Sequence, residues 1–139
     1  MNRVLTYKGA VQTHDCDSNG HMNVMFYINK FELAGRTFLS ECGLTRRYLA
    51  DHDIGVAVVE HHVQYMKEVF EDDIIIIHSQ TNECQKKIIT IFHEMFNGET
   101  DTLSATMSVK FVLFDLKSRK SIEVPKHLVY QIEHGVEKS

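Results

Sequence analysis

The sequence predicts an α+β fold in which one long helix packs on a face of an antiparallel sheet. Three observations predict it. A single long stretch carries apolar residues at helical spacing; one strand-like run precedes it, and four or five alternating runs follow it. The only proline, Pro125, lies near the end of the chain and interrupts none of these segments.

Leu5 to His14 is short, partly β-branched and roughly alternating, which predicts a strand. The polar run from Asp15 to Asn23 is then a loop. From Val24 to Cys42, apolar residues recur at Val24, Ile28, Phe31, Gly35, Phe38 and Cys42, steps of three and four that mark one face of a helix. Asn23 is placed to cap its start and Gly43 to stop it. Met25, Phe26, Leu33 and Leu39 add apolar surface on other sides, so the helix is expected to be enclosed. Ala34 and Gly35 would let a sheet approach closely.

A short helical turn is expected over Thr45 to His52, followed by strands at Gly55 to Lys67, Asp73 to Asn82, Lys87 to Phe96 and Thr102 to Leu116. The last is the clearest, because Leu103, Ala105, Met107, Val109, Phe111 and Leu113 alternate with polar neighbours. Asn97-Gly98 predicts a hairpin turn and Lys117 to Lys120 a second one. A short strand, Ile122 to Val124, and a turn or helix from Lys126 to Glu133 close the order. These runs suggest a meandering sheet.

The 139 residues are about the size of one domain, expected here over 1–139, and neither repeats nor linker-like tracts divide them. The formal net charge of −4 argues against a nucleic-acid surface, which needs clustered Lys and Arg. Cys16, Cys42 and Cys84 are widely spaced and form no C-x-x-C pair, which fits neither a disulfide framework nor a zinc knuckle and suits a reducing cytoplasm. The opening MNRVLTYKGA lacks the apolar core of a signal peptide, and no run is long enough to span a membrane. Small molecules or proteins are the expected partners.

Residues 15 to 23, DCDSNGHMN, concentrate the chemistry. The first six letters fit the opening of a calcium loop, yet position twelve, where a bidentate Glu belongs, is Phe26, and a strand precedes the loop instead of a helix. A metal site from His14, Asp15, Asp17 and His21, with His61 or His62, lacks any recognised ligand spacing. The residues also suit turns and caps. The reading that uses them together places Asp17, Asn19 and His21 at the first turn of a buried helix, where unpaired N–H groups and the helix dipole favour negative charge. There a carboxylate can attack a carbonyl, or activate water to attack it, while the helix end polarises the oxygen.

Strand, D-C-D-S-N-G-H-M-N at the mouth of a long helix, a strand carrying Val63 and Tyr65, a turn with Asp72 and Asp73, and a closing S-I-E-V-P (Ser121 to Pro125) together resemble the hotdog-fold acyl-CoA thioesterases of the 4-hydroxybenzoyl-CoA thioesterase type. The resemblance covers nearly the whole chain. It implies a curved antiparallel sheet of five to six strands wrapped around one central helix. It also implies homodimers that bind the acyl-CoA at their interface, dimers of dimers among relatives, and no cofactor beyond the coenzyme A of the substrate. Asp17 matches the family's nucleophile or general base, and the N–H near Val24 matches its thioester-polarising donor.

The pattern Asp17, Asn19, His21, Asn23 is also similar to the active-site segment of plant acyl-ACP thioesterases, in which a glutamate on the following strand assists; Glu68 stands at that place. The two groups of relatives disagree about His21 and Glu68, so His21 is open between catalysis and structure. Tyr27, Tyr65 and Phe26 are candidates to line an acyl pocket. His61 shares strand parity with Val59, Val63 and Tyr65, which suits a core or interface histidine. The expected reaction is hydrolysis of a small or medium acyl-CoA. Two alternatives stay inside the fold. A hotdog enoyl-CoA hydratase carries a motif resembling D-x-N-P-[LIV]-H, where this chain has Gly20 for the proline and His21 one position early. A non-catalytic acyl-CoA-binding module would not need Asp17.

Overall fold

A computed structural model of the chain describes residues 3–81 and 84–135. Strand β1 (Val4–Ala10) leads through a 3₁₀ turn, Thr13–Asp15, to helix α1 (Val24–Glu41) and the short α2 (Arg46–Asp51). Strands β2 (Ile54–Tyr65), β3 (Ile74–Gln80), β4 (Ile88–Asn97), β5 (Leu103–Asp115) and β6 (Ser121–Ile122) follow, and α3 (Lys126–His134) ends the described chain. The last residue expected in β3, Asn82, lies outside the described residues. None of the helices described is long and apolar enough to cross a membrane.

The fold is α+β, a six-stranded antiparallel sheet against a helix, the hotdog arrangement that the resemblance implied. The sheet order is β1-β3-β4-β5-β2, with β6 paired to β5 through the expected turn at Lys117 to Lys120, so β3 to β6 pair in sequence as the meander requires and β2 does not. After α2, strand β2 skips its sequence neighbour β3 and pairs with β5, Ile54 facing Asp115 and Tyr65 facing Ala105. Among the described residues no strand pairs with the other edge of β2. The β4–β5 connection is also longer than an Asn-Gly turn: the Asn97 N–H donates to the Thr102 carbonyl, and Asp101, at φ 60°, makes the left-handed bend.

The start of α1 forms as expected. Asn23 is extended and its side chain accepts from the Met25 N–H at 3.0 Å. Gly43, at φ +100°, ends the helix region in a conformation that glycine adopts without strain. The expected face is buried at Phe31, Gly35, Phe38 and Cys42 but not at its first residue. Tyr27, Phe31, Ala34 and Phe38 are buried, with Gly35 and Leu39 beside them, whereas Val24 is 55% exposed. Nor is the helix enclosed on all sides, because Met25 is 69% and Leu33 38% exposed. One stripe meets the sheet and the opposite side faces outward. Ile75 and Ile77 of β3, Ile89, Ile91 and Met95 of β4, and Leu113 of β5 complete the core beneath it.

His93 of β4 is wholly buried in this core, its ring centroid 5.9 Å from that of Phe31. Its Nδ1 is 2.5 Å from the Ser79 hydroxyl, which is 2.7 Å from that of Thr6, while Nε2 meets no acceptor among the described residues. An imidazolium needs two acceptors, so burial pushes the pKa of His93 down to about 4 from 6.5. The unfolded chain therefore takes up this proton at a higher pH than the folded one. Stability is full above pH 6.5 and falls as the pH drops through the window to about 4, by about 3 kcal/mol in all. Denaturant midpoints should decline across that window in the natural protein, and His93→Phe should flatten the decline.

Candidate active site

The 15-to-23 segment folds as a small hairpin that ends in α1. Cys16 bridges to Met22, the Asp17 N–H donates to the His21 carbonyl at 3.1 Å, and the Gly20 N–H donates to the Asp17 carbonyl at 3.0 Å. Gly20 sits at φ +85°, where a side chain would be strained. The returning arm is fastened to the chain after β2: the Met22 N–H donates to the Val69 carbonyl at 2.8 Å, and His21 bridges to Phe70. This tie brings Glu68 to the hairpin from 47 residues further along the chain.

Asp17, His21 and Glu68 stand in a row. His21 Nδ1 is 3.9 Å from Asp17 Oδ2, and His21 Nε2 is 3.8 Å from Glu68 Oε1. Both distances exceed a hydrogen bond, so the imidazole is poised between two carboxylates and bonded to neither. Its nearest acceptor is the Met22 carbonyl, 3.3 Å from Nδ1. Asn19 reaches Asp17 through its backbone N–H, 2.9 Å from Asp17 Oδ1. The other carboxylate oxygen, Oδ2, meets no hydrogen-bond donor among the described residues. The Asp17 and His21 side chains are each about a quarter exposed, and Glu68 is open to solvent.

At the helix mouth, the Phe26 and Tyr27 N–H groups turn back to the Asn23 carbonyl at 2.9 and 3.4 Å, and Met25 is capped by the Asn23 side chain. The Val24 N–H has no acceptor among the described residues, so it is free to donate to a carbonyl oxygen. Tyr27 and Tyr65 meet edge to face, ring centroids 5.1 Å apart. Burial raises the pKa of the Tyr27 hydroxyl, partly opposed by a hydrogen bond from the Val69 backbone and reinforced by the negative charge of Glu68. Tyr27 thus stays protonated beside the carboxylates. Phe26, the third aromatic, packs its edge on His14, centroids 6.0 Å apart.

The possible metal donors separate. Asp15 is fully buried against Lys30, its oxygens 3.2 and 3.3 Å from Nζ, while His14 is exposed. Among the described residues no three His, Cys, Asp or Glu side chains converge on a point that would hold an ion. His61 lies elsewhere, on β2, exposed and not in the core, and it shares the expected parity with Val63 and Tyr65 but not with Val59. A bulge between Val58 and Glu60 shifts the register, so Val58 opposes Phe111 and His61 opposes Val109, and Val59 drops out of that face. Val63 and Tyr65 keep the parity they share with His61.

Residues 11–132 match the thioesterase-like superfamily. The chain belongs to that superfamily. Its hotdog fold recurs in a Staphylococcus aureus protein solved in complex with CoA, with a TM-score of 0.86 and 22% identity over 96% of this chain and 85% of the other. A 1,4-dihydroxy-2-naphthoyl-CoA thioesterase from Synechocystis gives a TM-score of 0.83 at 17% identity, covering 94% of this chain and 96% of that one. A curated Aquifex aeolicus sequence named "Putative esterase" is 24% identical over 88% of this chain and 93% of its own length.

Two features of this thioesterase-like chain escape a reading of the sequence. Lys30, 6% exposed, clamps Asp15 and so ties the hairpin to α1. Its signal was a lone cation among Tyr27, Phe31 and Ala34, because lysine is almost never buried without a partner. The second feature is a groove of about 760 Å³ between α1 and strands β2 and β5, which begins at Ile28, one helical turn from Val24. Its walls come from segments far apart in sequence, so no local pattern announces it.

Proposed function

We propose that this protein is an acyl-CoA thioesterase whose site is the Asp17 hairpin and the open N-terminus of α1. The observation that carries the reading is that Asp17 and His21 stand in a row with Glu68 on a hairpin that runs directly into a helix whose first N–H, that of Val24, meets no acceptor among the described residues. The thioester carbonyl accepts from the Val24 N–H. Asp17 either attacks the carbonyl carbon, giving an anhydride that water then cleaves, or takes a proton from water as hydroxide adds. In either route collapse of the tetrahedral oxyanion breaks the carbon–sulfur bond and the CoA thiolate leaves, taking a proton from water; addition of hydroxide gives the free acid at once, whereas attack by Asp17 gives it when water opens the anhydride. Asn19 steadies Asp17, His21 and Glu68 assist the proton movements, and Asn23 keeps the helix mouth formed. Tyr27 and Tyr65 flank the entering acyl group. Coenzyme A enters as part of the substrate, and the reaction needs no added cofactor.

The site's surroundings favour a dimer. Tyr65, Met66 and Phe70 are 47%, 45% and 48% exposed beside the candidate residues, Met25 is open on the helix, and among the described residues no strand pairs with one edge of β2. A second copy covering them encloses the site at a subunit interface, and two such dimers can pair in turn.

A saturated acyl-CoA of small or medium length and the matching 2-enoyl-CoA, offered separately, test the activity. Thiol release from the saturated ester is expected. Hydration of the enoyl-CoA without thiol release would make the protein a hydratase, and binding of both esters with turnover of neither would make it a binding module.

A further inference from the structure

The geometry points to a substrate class that the motif alone does not name: we infer that the groove along α1 holds a straight acyl chain of up to about sixteen carbons. The inference rests on the thioesterase reading above and extends it from the reacting carbonyl to the rest of the acyl group. Ile28 is the groove's lining residue nearest the helix mouth along α1, while Asp17, His21, Val24, Tyr27, Tyr65 and Glu68 stand outside its walls. Val24 and Ile28 are one turn apart on the same side of α1, so a chain whose carbonyl meets the Val24 N–H passes to Ile28 without leaving the helix face.

From there the helix side of the groove follows Ile28, Phe31, Gly35 and Leu39, a stripe parallel to the helix axis. The sheet supplies Val109 and Phe111 from β5 and Val56 and Val58 from β2, and Leu44 and Leu49 line it after the end of α1. The bulge in β2 helps to make this wall, because it turns both Val58 and His61 towards the groove. Charged groups stand at the rim: Glu32 and Arg36 pair with each other at 3.2 Å and stay largely solvated, so they impose no polar partner on the chain inside.

Length decides between a chain and a ring. Ile28 to Leu39 is a rise of about 16 Å at 1.5 Å per residue. A carbon zigzag of about 1.5 Å bonds advances about 1.25 Å per carbon, so the groove holds about thirteen carbons, and the turn from Val24 accommodates about three or four more. A one- or two-ring aromatic acyl group fills less than half of that length. Gly35 lies midway. A Cβ there would stand 3.7 Å from both His93 and Phe111, ordinary contact that the core tolerates, but a longer side chain has to extend into the groove.

The test is initial rates of thiol release from butyryl-, octanoyl-, dodecanoyl-, hexadecanoyl- and benzoyl-CoA, each below its micelle-forming concentration. In the natural protein kcat/KM should climb at least about tenfold from butyryl to hexadecanoyl, as successive methylenes leave water. In Gly35→Met the hexadecanoyl-to-butyryl ratio should fall at least about tenfold, with the optimum moving to about eight to ten carbons. Val58→Phe, which narrows the opposite wall at a half-exposed position, should lower the same ratio and serves if the glycine variant does not fold. A flat chain-length profile with butyryl-CoA still hydrolysed, as when a second copy of the chain fills the groove, overturns the inference and leaves the thioesterase reading standing. A preference for benzoyl-CoA, or an unchanged ratio in the folded variants, overturns it as well. Thiol release from none of the esters sinks the thioesterase reading itself, and the inference with it.

Discussion

Asp17→Asn is expected to lower kcat for thiol release from acyl-CoA by about 10²–10⁴-fold, the range that a positioned acid or base contributes. The variant separates charge from shape. Asparagine keeps an oxygen where Asp17 Oδ1 accepts the Asn19 N–H at 2.9 Å, so the hairpin retains its internal bond. The backbone pairing of Asp17 with His21 and Gly20 does not involve the side chain and survives as well. What is lost is the anion that attacks the carbonyl or removes a proton from water. KM should change little, because the acyl group and the Val24 N–H are untouched, and the denaturation midpoint should stay within the small range of a surface substitution. Glu68→Gln should cost less, since Glu68 is solvent-exposed and reaches Asp17 only through His21. Single-turnover hydrolysis in oxygen-18 water distinguishes the two chemistries: label passes through the Asp17 carboxylate only if it attacks directly. Full activity in Asp17→Asn would remove the assignment.

The parts of the molecule legible in the sequence are those determined locally. Asn23 and the residues after it specify a cap and a 3.6-residue period, and α1 begins at Val24 as those signals require. The alternation of Leu103 to Leu113 likewise reads directly as β5. Topology is different, because strand pairing is a contest between distant segments. Nothing in Ile54–Tyr65 tells it to pair with β5 in place of β3. The alternation of His61 with Val63 and Tyr65 follows from the sequence, but one inserted residue at the bulge, invisible there, moves Val59 off that face and brings Val58 onto it. On the exposed side of α1, apolar residues at Val24, Met25 and Leu33 suggest burial even where this chain leaves them uncovered.

The candidate site divides along the same line. Asp17, Asn19, His21 and Asn23 lie within seven residues, so their meeting at one hairpin follows from turn chemistry. Glu68 and Tyr65 come from the other end of β2, and only the family resemblance pointed to them; the bond from Met22 to Val69 is the physical cause of their proximity. The groove is assembled from α1, α2, β2 and β5, so its length is a property of the packed fold.

Lys30→Met is expected to destabilise the fold by about 3–5 kcal/mol, the cost of removing one partner from a buried ion pair. Asp15 has no exposed side-chain surface, and the Lys30 side chain has 8%. Around the carboxylate, the Gln12 N–H donates at 2.9 Å, His14 Nε2 approaches to 3.3 Å, and the ammonium lies 3.2 Å from one oxygen and 3.3 Å from the other. Methionine preserves most of the aliphatic stem but no charge, so the anion is left to one backbone N–H and an exposed imidazole. Asp15→Asn in the same chain should restore most of the loss, because a neutral amide still accepts from Gln12 and no longer needs a counter-charge. A double-mutant cycle by urea denaturation at neutral pH measures the difference. Loss of activity should accompany loss of stability in the single variant: the Asp15 carbonyl accepts the Asn23 N–H at 2.8 Å, so the residue that Lys30 holds also holds the entrance to α1. A single variant less than about 1 kcal/mol below the natural protein would show that the pair is solvated and that the hairpin is held by its backbone bonds alone.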